Sequence, residues 1–459
     1  MKLHKLSLAT ALILAGTTSA NAASNAVPVG SNLGYGSASN NHTIFSVSAN
    51  PAWVSGNLHQ NNNYGFGLTA GIRIKQSSLS ALYTDYTDNV EPLIDKFGSN
   101  SSDSFEQAND LKIAMNNLIL DVRDNFYLQA DGNFSLPILI ANNGFGAIGI
   151  ELSGIGTARA KLLSTNKPID LDTTYLLAHP NATSDEIIEN GLIVQAALYA
   201  KTATVNEAAL TYGNQFYQNQ YGQLSVGVRA KYMQAKLVKS INSLDKYLKS
   251  SSDGDGFDNQ LSDDFEQHSD LSDTETAFGV DLGVQWLAEN YMVGLSVMNI
   301  NSPSFKYNEL GLSNDAQGNV EKFYTNQVTL AEEVTLDPQA RLEGTLYSEN
   351  RDWSFAVSYD LNATLDLVGQ EYQWASASVS YASDASSGWL SYIIPDVRLG
   401  YRANQAGDTR SYITPGLTWG FLNIDLGLAD FGDIGKAASG DPEDLPEAFM
   451  ANIGVEFMF

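Results

Sequence analysis

From Tyr64 to Lys75 the side chains alternate with a period of two. Tyr64, Phe66, Leu68, Ala70, Ile72 and Ile74 are apolar, and between them stand Gly65, Gly67, Thr69, Gly71, Arg73 and Lys75. Successive side chains of a strand point to opposite faces, so this segment has one apolar face and one of small or charged groups. The signature returns at Leu224, Val226, Val228, Ala230 and Tyr232, interleaved with Ser225, Gly227, Arg229 and Lys231. It returns at Phe278, Val280, Leu282, Val284 and Trp286, with Gly279, Asp281, Gly283 and Gln285 between. Tyr291, Val293, Leu295 and Val297 continue it, which predicts a hairpin about Ala288-Glu289-Asn290. Trp353 to Leu361, Val397 to Tyr401 and Leu422 to Leu428 repeat the pattern, and weaker candidates lie near 133–139, 145–163, 192–212, 326–347, 371–382 and 411–419.

A soluble β-sandwich would also alternate, but three features favour a membrane barrel. The segments often reach ten residues, which suits a tilted membrane strand better than the ~5–6 of soluble sheets. Tyr64, Trp286, Tyr291, Trp353, Tyr359, Trp374 and Tyr401 sit near strand ends, where a barrel carries aromatic girdles. The chain stops on Ile453-Gly-Val455-Glu-Phe457-Met-Phe459, which resembles the C-terminal strand by which outer-membrane barrels are recognised by the barrel-assembly machinery. The expected fold is therefore all-β: a transmembrane antiparallel β-barrel over 61–459, of about 12 to 14 strands, surrounded by outer-membrane lipid.

Two insertions break the zigzag. Ser104-Phe-Glu-Gln107 fits a capping box, and Leu111, Met115, Leu118 and Val122 follow at helical spacing, predicting an amphipathic helix over 103–123 within an insertion near 90–124. So polar a helix is expected to plug the lumen or sit at one mouth. A shorter helix is expected from Ser184. Residues 251–276 form an acidic loop with no Lys or Arg from 253 to 275. Clustered carboxylates suit Ca²⁺, but Phe257 stands where an EF-hand needs a third ligand and Asp258 where it needs glycine, so no metal site is expected.

The N-terminus sets the compartment. Lys2, His4 and Lys5 precede the apolar run Leu6 to Gly16, and Ala20 and Ala22 give a small-x-small site, so 1–22 is read as a secretory signal. That apolar run is too short to span a bilayer of ~30 Å. The chain has net charge −27 and no cysteine, which argues against nucleic-acid binding, disulfides and thiolate metal sites. Of five histidines, His4 lies in the signal and His42, His59, His179 and His268 stand in polar segments. No G-x-S-x-G elbow or H-x-x-x-H pair appears, so no catalytic, cofactor or metal residue is assigned and no enzyme is expected.

The segment Gly30-Ser-Asn-Leu-Gly34-Tyr-Gly36 through Asn50-Pro51-Ala52-Trp53 resembles the start of FadL-type outer-membrane transporters. In that family a Gly-rich hatch leads into an Asn-Pro-Ala motif before the first barrel strand. The resemblance implies a hatch over 23–60 with Asn50, Pro51 and Ala52 as its structural motif. Pro51 fixes its own φ and pushes Asn50 into an extended conformation. Three further stretches are similar to a branch of that superfamily labelled conjugal transfer protein TraF. They are Val297-Met-Asn299-Ile-Asn301-Ser-Pro303-Ser-Phe305, Leu336-Asp-Pro338-Gln-Ala-Arg341, and Pro395-Asp-Val-Arg398-Leu-Gly400-Tyr401-Arg402 onward to Tyr412-Ile-Thr-Pro415-Gly416-Leu-Thr-Trp419-Gly420. The F-plasmid protein of that name is thioredoxin-like, whereas this chain has neither βαβ pattern nor CxxC pair.

The resemblance implies passive transport of a small, hydrophobic solute across the bacterial outer membrane. The alternative is an accessory barrel that docks a protein of a conjugal-transfer or surface-export apparatus. Arg73, Lys75, Arg229, Lys231, Asp281, Arg398, Arg402, Asp425 and Glu456 fall on the expected inward faces, where they either pair with one another or hold a plug.

Overall fold

Each alternating segment becomes a strand, and the strands close into one ring. The computed structural model describes residues 28–56, 63–96, 104–142, 145–244, 273–308, 324, 327–382, 395–429 and 447–459. The barrel strands are β1 (Tyr64–Ser77), β2 (Tyr127–Asn142), β3 (Gly146–Leu171), β4 (Leu192–Asn219), β5 (Gly222–Ser243), β6 (Glu275–Leu287) and β7 (Tyr291–Met298). They continue as β10 (Gln339–Tyr347), β11 (Trp353–Asp360), β14 (Trp374–Tyr381), β15 (Asp396–Asn404), β16 (Ser411–Trp419), β17 (Leu422–Leu428) and β18 (Ala448–Met458). Two small hairpins, β8 (Ser304–Lys306) with β9 (Glu333–Thr335) and β12 (Thr364–Leu365) with β13 (Glu371–Tyr372), stand apart from the ring. Every barrel strand is antiparallel to its neighbour in sequence, and β18 pairs with β1 to give a closed 14-stranded barrel. The hairpin at 288–290 joins β6 to β7 as the pattern predicts.

The ring is inside out relative to a soluble protein. Along β1, Tyr64, Phe66, Leu68, Ala70 and Ile72 are exposed while Gly65, Thr69, Gly71, Arg73 and Lys75 are buried. A surface carrying this many exposed large apolar side chains is stable only against another apolar medium, so the barrel spans a membrane. On β5 the outward run from Leu224 to Tyr232 covers nine residues, or eight rises; at ~3.3 Å per rise and a tilt of about 40° it spans roughly 20 Å of bilayer. Tyr64, Tyr291, Trp353, Tyr359 and Tyr401 are exposed on this outer face as a girdle requires. Trp374 is a correction: it is 2% exposed and points into the lumen. In β14 the inward register is Trp374, Ser376, Ser378 and Ser380, while Ala375, Ala377, Val379 and Tyr381 face outward.

Turns of two to five residues join β2–β3, β4–β5, β6–β7, β10–β11 and β16–β17 at the end where residues 63 and 459 lie. That end is called the near end here; the long connections are at the far end, except for 382–395. Toward the far end β3, β4 and β5 run on for 26, 28 and 22 residues, when about 9–11 suffice to cross a bilayer. On the outward face of this extension Leu128, Ala158, Ala160, Leu198 and Ala200 pack under Val122 and Phe126. Farther along, Ile169, Leu171, Leu192 and Ala196 meet Ala108, Leu111, Met115, Leu118 and Ile119.

The helix Ser104–Val122 therefore lies against the outside of the wall, beyond the apolar band, and does not plug the lumen. Burying a Leu or Ile there contributes about 1.5–3 kcal/mol. Asn116 fixes the helix in register: its Nδ2 donates to Ile169 O at 2.8 Å and its Oδ1 accepts from Ile169 N at 2.9 Å. A β-bulge between Ser164 and Ile169 makes that edge available. The shorter helix Ser184–Asn190 starts at a Thr183–Glu186 capping box. The expected signal 1–22, the Ser104 capping side chain and residues 251–272 of the acidic loop lie outside what the structure describes.

Candidate functional site

Residues 28–56 precede β1 and fold inside the ring. Thr43 accepts a hydrogen bond from Phe45 N at 3.2 Å and starts a short 3-10 helix, Ile44–Ser48. Ile44, Phe45, Val47, Trp53 and Val54 form an apolar cluster with Leu139, Ala141 and Ala147 on the inner faces of β2 and β3. The wall makes room for this plug with inward glycines. A Cβ at Gly227 would lie 2.3 Å from Pro51 C, and one at Gly283 would lie 2.0 Å from Asn50 Oδ1. Gly36, at φ +68°, turns the plug so that its carbonyl accepts from Ser358 Oγ at 2.9 Å and from Ser376 Oγ.

Polar contacts then hold the plug at many points of the ring. Asn50 is fully buried; its Nδ2 donates to Glu343 Oε1 at 2.8 Å, and its Oδ1 accepts from Ala52 N at 3.0 Å. Pro51 and Ala52 lie against Gly227 and Gly283, which puts the whole Asn50-Pro51-Ala52 motif against β5 and β6. Glu456 of β18 accepts from Thr43 Oγ1 at 2.9 Å and Ile44 N at 3.0 Å. Ser48 Oγ donates to Glu151 Oε1 at 2.9 Å. In the terminal strand, Ile453, Phe457 and Phe459 are exposed on the outer face and Val455 is half-buried.

All nine of the inward-facing charges read from the sequence are buried, Glu456 being the most accessible at 9%. Most pair with one another or with neighbours. Arg73 meets Asp131 at 2.8 Å, and Lys231 meets Asp281 at 2.7 Å. Arg398 meets Asp425 at 2.7 Å, and Arg229 lies between Glu151 and Glu207 at 2.8 and 2.6 Å. Lys75 Nζ donates to Tyr372 Oη at 3.0 Å and reaches Asp408 at 3.7 Å. Arg402 stacks its guanidinium 3.8 Å above the Trp374 ring. The partners Asp131, Glu151 and Glu207 carry no signal in the sequence, because they lie in or beside segments whose alternation is blurred by Gly and Ala.

Beyond this charged belt the lumen lining changes. On the inner faces of β4 and β5, Ala203, Val205, Met233, Ala235 and Leu237 meet Phe305, Tyr307, Val334, Leu367 and Val368 from the far-end hairpins. Tyr307 Oη donates to Leu367 O at 2.6 Å and ties the two hairpin regions together. The lumen is thus plugged from the near end by residues 28–56 and, along β4 and β5, filled by apolar groups of the far-end hairpins, beyond which Lys201 and Lys239 meet Glu332. Among the described residues, no group of His, Asp and Glu is arranged to hold a metal ion.

An outward-apolar, inward-polar ring with a segment of its own chain seated in the lumen defines a transmembrane β-barrel of the plugged kind. Residues 47–360 match the family described as the F plasmid transfer operon TraF protein, and the chain belongs to that family. No curated protein matches it. Among solved structures it is similar to the Pseudomonas putida toluene transporter TodX, at 10% identity over 93% of this chain and 99% of that one, with a TM-score of 0.43. It is likewise similar to a Pseudomonas aeruginosa FadL homologue, at 10% identity over 96% and 97% of the two chains, TM-score 0.42. A Salmonella typhi OmpF is matched at 10% identity over 87% and 99%, TM-score 0.28.

Proposed function

We propose that the protein is a channel of the bacterial outer membrane that passes a small, partly apolar solute and is held closed by its N-terminal plug. The observation that carries this reading is the apolar inner lining of β4 and β5 above the charged belt, built from Ala203, Val205, Met233, Ala235 and Leu237. Outer-membrane barrels have short periplasmic turns and longer external loops, so the far end is assigned to the outside. A solute entering there passes the far-end hairpins and the Lys201–Glu332–Lys239 cluster, then the apolar surface that the hairpins cover, and the plug last. Beside its apolar cluster, the plug is held by hydrogen bonds to the Glu343 and Glu456 side chains, which water can replace when the segment shifts.

The test is solute-specific uptake into liposomes carrying the refolded barrel, with a small aromatic hydrocarbon and a sugar of similar size as probes. Uptake of the hydrocarbon above protein-free vesicles, with little uptake of the sugar, is expected. Equal and fast entry of both would make it a general pore, and entry of neither would overturn the channel reading.

A second reading has its own observation. The extended β3–β5 wall and its outer helices form a collar beyond the bilayer, and the family description points to a transfer apparatus. A strain lacking the protein that transfers DNA less well, restored by the full chain but not by one without residues 104–122, would favour docking over transport.

A further inference from the structure

The buried guanidinia of this barrel follow a rule with one exception. Arg73, Arg229, Arg341 and Arg398 each meet a carboxylate within 2.8 Å. Arg402 is 1% exposed, and among the described residues nothing accepts a hydrogen bond from its Nε, Nη1 or Nη2. Asp360, a neighbouring carboxylate, is already engaged: it accepts from Arg341 Nε at 2.7 Å, Trp374 N at 2.9 Å and Gln339 Nε2 at 3.3 Å. Two further groups beside Arg402 share its condition. Tyr412, its register partner on β16, has an unpartnered buried hydroxyl, and Trp374, beneath the guanidinium, has an unpartnered buried Nε1.

We propose that Arg402, Trp374 and Tyr412 form a binding point in the lumen for a small oxyanion, a carboxylate or a phosphate. The cluster is rich in donors, and apart from the Tyr412 oxygen its acceptors are already used, which is the complement of an oxyanion. A planar guanidinium held over an indole offers its N–H groups as a fork, suited to two oxygens of one group. Leu33 from the plug and Met450 from β18 pack in the same apolar cluster as Trp374 and Tyr412, so the ion would meet few competing water molecules. The overall charge of −27 makes this local excess of donors the more specific, since the rest of the molecule repels anions. The proposal deepens the channel reading and rests on it, because Arg402 stands on the inward face of β15. Binding is therefore measured apart from flux, so that either can fail alone.

The experiment is calorimetric titration of the full refolded chain in detergent with phosphate, acetate and hexanoate. Saturable binding of one equivalent is expected, weakened about tenfold or more in Arg402→Met and clearly weakened in Arg402→Lys, which keeps the charge and loses the fork. Binding of phosphate or acetate marks a site for free anions; binding of hexanoate alone marks a site for the head of an amphipathic solute; both support the proposal. No saturable binding of any probe overturns it, as does binding that Arg402→Met leaves unchanged. Should the Arg402 variants fail to fold, Trp374→Phe and Tyr412→Phe keep the rings and remove the donors. A several-fold loss in either is expected, and unchanged affinity in both overturns the proposal. Binding without uptake would sink the channel and leave the site; uptake without binding would do the reverse.

Discussion

Asn50 and Glu343 stand 293 positions apart in sequence and 2.8 Å apart in the lumen. Glu343 also accepts from Ser39 N at 2.6 Å and Ser39 Oγ at 2.9 Å, so one carboxylate of β10 holds both arms of the plug. Asn50→Ala removes a donor from a carboxylate that is 3% exposed, at a cost of about 1–3 kcal/mol. The expected result is a folded barrel whose residues 28–56 are cut faster by protease than in wild type. Unchanged cleavage would show that the plug does not depend on this contact.

Gly227→Val attacks the same seat from the wall. Its Cβ would lie 2.3 Å from both C and O of Pro51, a clash with backbone that no rotamer relieves. The strand itself welcomes Val, so the ring is expected to close while the plug is displaced. Single-channel recordings should then show a larger and steadier conductance than wild type. A conductance equal to wild type would mean that the plug does not close the pathway.

Removing the helix Ser104–Val122 should leave conductance unchanged, because the helix covers the outside of the wall. What it does expose is an apolar strip from Leu128, Ala158, Ala160, Leu198 and Ala200. Dye binding and aggregation of the refolded variant are expected to rise. A jump in conductance would place the helix in the pathway and refute its outer position.

Asp366, in the far-end loop between β12 and β13, gives a pH dependence. Burial pushes its carboxyl above the usual carboxylate range, and nearby Asp131 adds to the shift. The folded state thus holds this proton more tightly than the unfolded chain. The resulting stability is fully present below the ordinary carboxylate value of ~3.9 and is lost as pH rises through the raised folded value. Asp366→Asn keeps an Oδ1 to accept from Val368 N and Gln370 N, as Asp366 does at 3.0 and 2.7 Å. The variant should melt higher than wild type at neutral pH, and the gap should close below about pH 4. A constant gap across that range would remove Asp366 as its cause.

Much of this architecture could be read from the chain because a closed membrane sheet imposes period two on every strand. The inward placement of Arg73, Arg229, Arg398 and Glu456 follows from that parity alone. Parity does not say what an outward apolar residue touches. Leu68 and Leu198 obey the same alternation, yet Leu68 is 45% exposed on the outer band and Leu198 is 6% exposed beneath a helix. The difference is where the strand leaves the bilayer, which no local pattern records. The donor cluster at Arg402 escaped for a related reason. Trp374 reads as a girdle residue until the register of β14 is known, and an absent partner leaves no trace in sequence.

The seats of the plug have a consequence for biogenesis. They are distributed from Gly65 near the start of the sheet to Glu456 near its end, and Phe459 O accepts from Tyr64 N where the two ends meet. The segment made first therefore finds its full set of partners only after the last strand has docked. A last strand docked one residue out of step would turn Glu456 toward lipid and leave Thr43 and Ile44 without their acceptor. Seating of residues 28–56 thus acts as a keystone, a report from inside that the circle was joined in the correct alignment.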